Sequence, residues 1–214
     1  MKNRIVRALA RWIPLASFSG SQKYWLRRYQ LGGDSGSGSA GAAATYKADV
    51  LNQFVVSKGV SRVVEFGCGD GCQLELARYP EYLGVDISPE AIALCREQFR
   101  DHAEWAFVTA DEYQGTTAEL CLSLDVIFHL VEDVVYEQYL QRLFASSERF
   151  VIIYSSDVAD GTGTFRHVRH RAVSVDVALR FPDFVRLEAY EATLPPSVAF
   201  NRGVPTTFLI YQHR

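Results

Sequence analysis

Val63-Val64-Glu65-Phe66-Gly67-Cys68-Gly69-Asp70-Gly71 decides how this sequence is read. An apolar run of strand type delivers one acid and then three glycines at alternate positions. Glycine enters backbone conformations closed to other residues and lets a ligand approach the main chain closely. A helix start after such a turn offers unpaired amide donors. The stretch is therefore expected to cradle a nucleotide-like molecule at the tip of a buried strand, Arg62 to Phe66.

Working outward, strands and helices alternate. A helix from Thr45 through Tyr46, Val50, Leu51 and Phe54 precedes that strand, and a helix at about Cys72 to Ala77 is expected after it. The next strand is Tyr82 to Val85. Ser88-Pro89-Glu90 then reads as a helix start, with Ser88 as N-cap and Pro89 in the first turn of a helix reaching Phe99. Strands follow at Ala106 to Thr109 and Glu119 to Leu124, a helix at Val134 to Phe144, and an apolar strand at Phe150 to Tyr154. Phe184 to Tyr190 and Thr206 to Tyr211 read as a closing antiparallel pair at the sheet edge. Alternation of this kind predicts an α/β fold with a mostly parallel sheet, right-handed crossovers and a ligand crevice at the carboxyl ends of the strands.

The two following strands end in acids. Leu83-Gly84-Val85-Asp86 places a carboxylate where it can accept from both hydroxyls of a ribose, with Ile87 beside it, and Thr109-Ala110-Asp111-Glu112 places acids where an adenine amino group could donate. A dinucleotide fold competes, but its fingerprint is Gly-x-Gly-x-x-Gly; here the third glycine comes one residue early and Glu65 precedes the first. Beside a pyrophosphate Glu65 would be repelled, whereas beside a cationic group it is accommodated.

On these residues the chain resembles the class I S-adenosylmethionine-dependent methyltransferases, over about Tyr46 to Tyr154. The resemblance implies a Rossmann-like fold with a mostly parallel seven-stranded sheet, an antiparallel edge strand and helices on both faces. It implies S-adenosyl-L-methionine as cofactor, with Glu65, Gly67, Cys68, Gly69 and Gly71 around its methionine part, Asp86 on the ribose, Ile87 on the adenine face, and Asp111 and Glu112 at the adenine edge. Ser123-Leu124-Asp125-Val126-Ile127-Phe128-His129 is similar to the family stretch that borders the transferring methyl, so Ser123 and Leu124 are cofactor candidates, Asp125 a catalytic candidate, and His129 the candidate base. The Asn/Asp-Pro-Pro-Tyr/Phe signature of many nitrogen methylators is absent. Tyr-Trp-Leu-Arg-Arg-Tyr (residues 24–29) with Leu-Val-Glu-Asp and His-Val-Arg-His-Arg resembles bacterial methyltransferases that accompany surface-polysaccharide genes, which implies a sugar or glycan hydroxyl as acceptor.

Acceptor contacts are expected from Trp25, Arg28 and Tyr29 before the glycine-rich stretch 32–44, from Tyr154 on the fifth strand, and from His167 and His170 in a locally cationic loop. Residues 1–44 read as a basic helical segment and a Gly/Ser-rich lid or linker, and 45–214 as the methyltransferase domain. Ile5, Val6, Leu9, Trp12 and Ile13 recur at helical spacing in the first of these.

Composition sets the remaining bounds. With 214 residues, 48% hydrophobic and 22% charged, the chain is expected to fold as an ordinary globular protein with one core. No apolar run approaches the roughly 18 residues of a spanning helix and no signal peptide is read, so a cytoplasmic protein is expected. Cys68, Cys72, Cys95 and Cys121 lack zinc or disulfide spacing; reduced thiols and no metal site are expected. The net charge of -3 hides a basic start, with seven Lys or Arg and no acid through Gly33. That segment either docks on the acidic body or meets an anionic acceptor or a membrane surface. The acidic body and the lack of an RNA module argue against nucleic acid. The leading reading is O-methylation of a small molecule or saccharide. N-methylation of a small molecule, protein or RNA, an NAD-dependent oxidoreductase, and a non-catalytic cofactor-binding module are the alternatives.

Overall fold

The structure, a computed structural model, describes residues 18–159, 161–162, 165–195 and 204–214. The helix expected over Ile5 to Ile13 lies outside them. In chain order the elements are α1 (Ser21–Gln30), α2 (Gly41–Lys58), β1 (Arg62–Phe66), β2 (Glu81–Asp86), α3 (Pro89–Gln98), β3 (Trp105–Thr109), β4 (Ala118–Leu124), α4 (Asp133–Ala145), β5 (Ser147–Ser156), a short pair β6 (Gly161–Thr162) and β7 (Arg169–His170), α5 (Val173–Arg180), β8 (Phe184–Arg186), the turn α6 (Glu188–Glu191) and β9 (Thr206–His213).

Seven strands form one sheet in the order β3-β2-β1-β4-β5-β9-β8, parallel from β3 through β5. β9 runs antiparallel to both of its neighbours, so the reversed strand lies one position inside the edge. Its Phe208, Leu209, Ile210 and Tyr211 are almost fully buried, which requires cover on both faces and both flanks. The three-residue β8 takes the edge itself and keeps it short.

Each strand feeds two cores by alternation. Val63, Leu120, Leu122, Phe150 and Ile152 face α2 and α3, where Leu51, Phe54, Ile92 and Cys95 receive them. Val64, Phe66, Cys121, Val151 and Ile153 face α4 and α5, against Tyr136, Leu140, Leu143 and Val177. Capping fixes the helix ends. Ser88 Oγ accepts from the Ala91 N–H at 3.3 Å with Pro89 at the first position of α3. Gly59, at φ +59°, ends α2.

Three expectations are corrected. Cys72 to Ala77 forms only a 3-10 turn, Gln73–Leu76, because Asn52 captures the chain there: its Nδ2 donates to Leu76 O at 2.9 Å and its Oδ1 accepts from Arg78 N–H at 2.8 Å. The strand expected to reach Tyr190 stops at Arg186, since the Glu191 carboxylate accepts from Ile210 N–H at 2.7 Å and pairs with Arg186, drawing the chain into α6. The glycine- and serine-rich stretch gives way to α2 already at Gly41, where Ala43 and Ala44, strong helix formers, are buried. No helix among the described residues is long and apolar enough to cross a membrane.

Leu122 sits fully buried in central strand β4, between α2, α3 and the neighbouring strands. Leu122→Ala is expected to cost about 2–5 kcal/mol of folding stability, seen as an earlier urea midpoint at unchanged slope.

Candidate active site

The turn after β1 holds Gly67, Gly69 and Gly71 at φ +83°, +59° and +79°, all left-handed. The amides of Gly67 and Cys68 both donate to Val85 O, at 2.7 and 3.2 Å, which ties the turn to β2. A Cβ on Gly67 would run into Val126. One on Gly69 would lie 2.8 Å from the Tyr29 hydroxyl and closer still to Ser35 Oγ. One on Gly71 would meet Phe99 Cε2 at 2.6 Å, so this third glycine serves packing behind the turn.

Asp86, at the tip of β2, is buried. Its Oδ2 accepts from Gly69 N–H at 3.0 Å and its Oδ1 from Ser88 N–H at 2.9 Å, leaving acceptor capacity on each oxygen. Burial raises its carboxyl above the usual range, and the amides of Ser88, Gly69 and Ile87 work against that rise. Glu65 is buried on the α2 side of β1 and accepts from the Tyr82 hydroxyl at 2.7 Å. Burial pushes it up to about 7, against the opposing pull of Tyr82 and then Lys47. Lys47 projects from α2, 1% exposed, and forms an ion pair with Asp125, the first residue beyond β4.

Residues 21–40 strap across this arrangement and are pinned at both ends. Ser21 donates to Glu132 through its amide at 2.9 Å and its hydroxyl at 2.6 Å. Ser35 Oγ donates to Asp70 Oδ1 at 2.6 Å and so accepts from the Tyr29 hydroxyl at 2.9 Å. Arg28 closes the loop onto Asp34 at 2.8 Å and lies over the Trp25 ring. His129 is walled by Trp25, edge-on at 4.9 Å, and by His167, stacked at 5.5 Å with Tyr24 on its far side. Its Nδ1 lies 3.0 Å from His167 O. A carbonyl only accepts, so Nδ1 carries the proton and Nε2 is left as an acceptor. Removal from water pushes the His129 imidazole down to about 3, only partly offset by that carbonyl.

Of the residues singled out by sequence, Trp25, Tyr29, Glu65, Gly67, Cys68, Gly69, Asp86, Ile87, Asp111, Leu124, Asp125 and His129 line one cavity at the strand tips. The others stand back from its wall. Arg28 is held by Asp34; Gly71 faces Phe99; Glu112 is exposed and accepts from Thr109 N–H at 2.9 Å. Ser123 is buried and bonded to the Tyr139 hydroxyl at 2.8 Å. Tyr154 lies beneath the Lys47 ammonium, 5.4 Å from ring centre, and accepts from Thr206 Oγ1. His167 contributes from behind His129, and His170 is buried against Ser156 Oγ at 2.7 Å. The cavity also takes in Lys47, Gln73, Ser35 and Tyr139, which sequence reasoning missed. Lys47 left a signal, because it occupies the apolar row Ala43, Lys47, Leu51 of α2, where a solvated lysine does not belong. Gln73 Nε2 donates to Ala44 O at 3.0 Å, while its buried Oε1 has no hydrogen-bond partner among the described residues.

A methyltransferase-domain family model matches residues 63–148. The structure is similar to that of magnesium protoporphyrin IX methyltransferase from Synechocystis PCC 6803 with bound SAH, at 17% identity and a TM-score of 0.62 over 99% of both chains. The chain has the class I methyltransferase fold. A further neighbour is an N-methyltransferase from Bradyrhizobium japonicum in complex with S-adenosyl-L-homocysteine, at 12% identity and a TM-score of 0.65 over 91% of this chain and 99% of that one. Another is an O-methyltransferase family protein from Burkholderia thailandensis, at 12% identity and a TM-score of 0.63 over 99% of this chain and 68% of that one. No curated protein matches the chain in sequence.

The raised Glu65 carboxyl has a stability consequence of definite sign. The unfolded chain loses this proton near pH 4.5 and the folded one near 7, so stability falls as pH rises across that window. Glu65→Gln keeps an acceptor for Tyr82 and removes the buried charge. It is expected to stabilise the ligand-free protein by about 2–3 kcal/mol at pH 8 and by almost nothing at pH 4, in urea unfolding at both values.

Proposed function

We propose that this protein is an S-adenosyl-L-methionine-dependent methyltransferase that methylates a hydroxyl of a small molecule or saccharide. The observation that carries the reading is the Asp86 carboxylate, buried at a strand tip, joined to the bare glycine turn and still able to accept. The residues present fit the cofactor. Gly67 and Gly69 line the cavity with main chain alone, in left-handed conformations that other residues avoid. The unpartnered Gln73 Oε1 and the Glu65 carboxylate can accept from the cationic amino acid end. Asp86 would take the ribose hydroxyls, Ile87 the adenine face and Asp111 the adenine edge. When bound, the cofactor supplies a sulfonium methyl for in-line transfer.

The chain's own part is positioning and the exclusion of water. The strap covers the glycine turn through Tyr29 and Ser35, and Trp25 closes the side towards His129. His129 Nε2 can accept from the acceptor hydroxyl and orient its lone pair. Its depressed basicity makes it an orienting group that stays neutral from pH 5 to 8. A glycan hydroxyl in particular is supported by the sequence resemblance to methyltransferases of polysaccharide loci, and a reducing cytoplasm by four unpaired cysteines. An amine is the second reading, since Asp125 and His129 both present acceptors to the cavity and an N–H suits them equally.

Calorimetry with S-adenosylhomocysteine tests the cofactor assignment. Asp86→Ala is expected to weaken binding at least about tenfold by removing a charged acceptor of two hydroxyls. Unchanged affinity would remove the ribose role, and a wild-type protein that binds neither cofactor nor product would remove the whole reading.

A further inference from the structure

We propose that Asp125, held by the buried Lys47, is the group that faces the transferring methyl and takes the acceptor's proton. This rests on the methyltransferase reading above. In it Lys47 is a positioning residue.

Four observations converge on the pair. Asp125 is the one non-glycine residue with positive φ among those described, at +58°, so the chain holds an unfavourable backbone geometry at the wall of the cavity. Its amide donates to Tyr154 O at 2.9 Å, and one carboxylate oxygen, Oδ2, pairs with Lys47, which leaves Oδ1 without a hydrogen-bond partner among the described residues. Lys47 is 1% exposed and forms its ion pair with this carboxylate, so removing either partner would leave a buried group uncompensated. Gly38 of the strap closes over the same carboxylate: a Cβ there would lie 3.0 Å from Oδ2, a tight contact that glycine avoids. The pair is therefore held in place from several sides, with one oxygen facing the cavity.

The chemistry needs such a group. As the acceptor's lone pair forms the new bond to the methyl carbon, the carbon–sulfur electron pair stays on sulfur and the positive charge moves onto the acceptor oxygen or nitrogen. A fixed carboxylate stabilises that developing cation and then receives its proton. His129 supplies no charge, because its imidazole is neutral and weakly basic. It orients the acceptor, and Asp125 answers the charge.

Sinefungin, which carries an ammonium where the methyl stands, reads this out by binding alone. With wild-type protein it is expected to bind more tightly than S-adenosylhomocysteine. Asp125→Asn should cut that preference about tenfold while S-adenosylhomocysteine affinity stays within about threefold. Lys47→Met should lower the preference similarly, and Lys47→Arg should restore most of it. A preference that survives Asp125→Asn, or is absent from a wild-type protein that binds S-adenosylhomocysteine, overturns the proposal. A preference that rises in Lys47→Met means that Lys47 only screens the carboxylate and overturns its positioning role. Equal loss of both ligands in Asp125→Asn also overturns it, by showing a general structural part. Failure of the wild type to bind either ligand refutes instead the cofactor reading beneath it.

Discussion

The grip of one carboxylate on two loops is the constraint from which the site follows. Asp86 accepts from the turn after β1 through Gly69 and from the start of α3 through Ser88. Strands β1 and β2 are neighbours in register, so their tips emerge side by side, and this acid holds the two exits at a fixed separation. A buried carboxylate is costly unless amides satisfy it. The left-handed glycines let the turn bend so that the Gly69 amide points at Asp86, and let Val126 and the strap pack closely against it.

Around that point the charges are arranged for a dry environment. Glu65, Asp86 and Asp125 stand on three adjacent strand tips, and Lys47 reaches across from α2 to the last of them. Water exclusion by the strap makes each pairing count for more than it would at the surface. It also accounts for the opposite shifts of Glu65 and His129: both groups move towards their uncharged forms because burial disfavours charge whatever its sign.

Much of the architecture was legible because it rests on short-range chemistry. The glycine turn, Ser88 with Pro89, and the apolar runs of β1, β4 and β5 announce themselves by residue type. The 3-10 turn at Gln73–Leu76 was not legible, since its cause is Asn52, some twenty residues away on another helix. The same holds for α6, which depends on Glu191 reaching Ile210. In the site, residues that approach the cavity through their own strand tips were readable from local sequence. His170 and Tyr154 lie against Ser156 and Thr206 rather than on the cavity wall, a direction set by strand pleat that the two residues of β7 are too few to reveal. Lys47 could have been found as a cation in an apolar helical row.

The bond from His129 Nδ1 to the carbonyl of His167 ties the cavity to a loop that does not line it. A main-chain carbonyl is present whatever side chain its residue carries. Substitutions along residues 165–168 can therefore swing the imidazole lone pair, and in the proposed reaction the angle at which an acceptor is received, without touching Asp86 or the glycine turn. Under that proposal, selection acting on this loop has a route to new acceptors that never passes through a loss of the methyl donor.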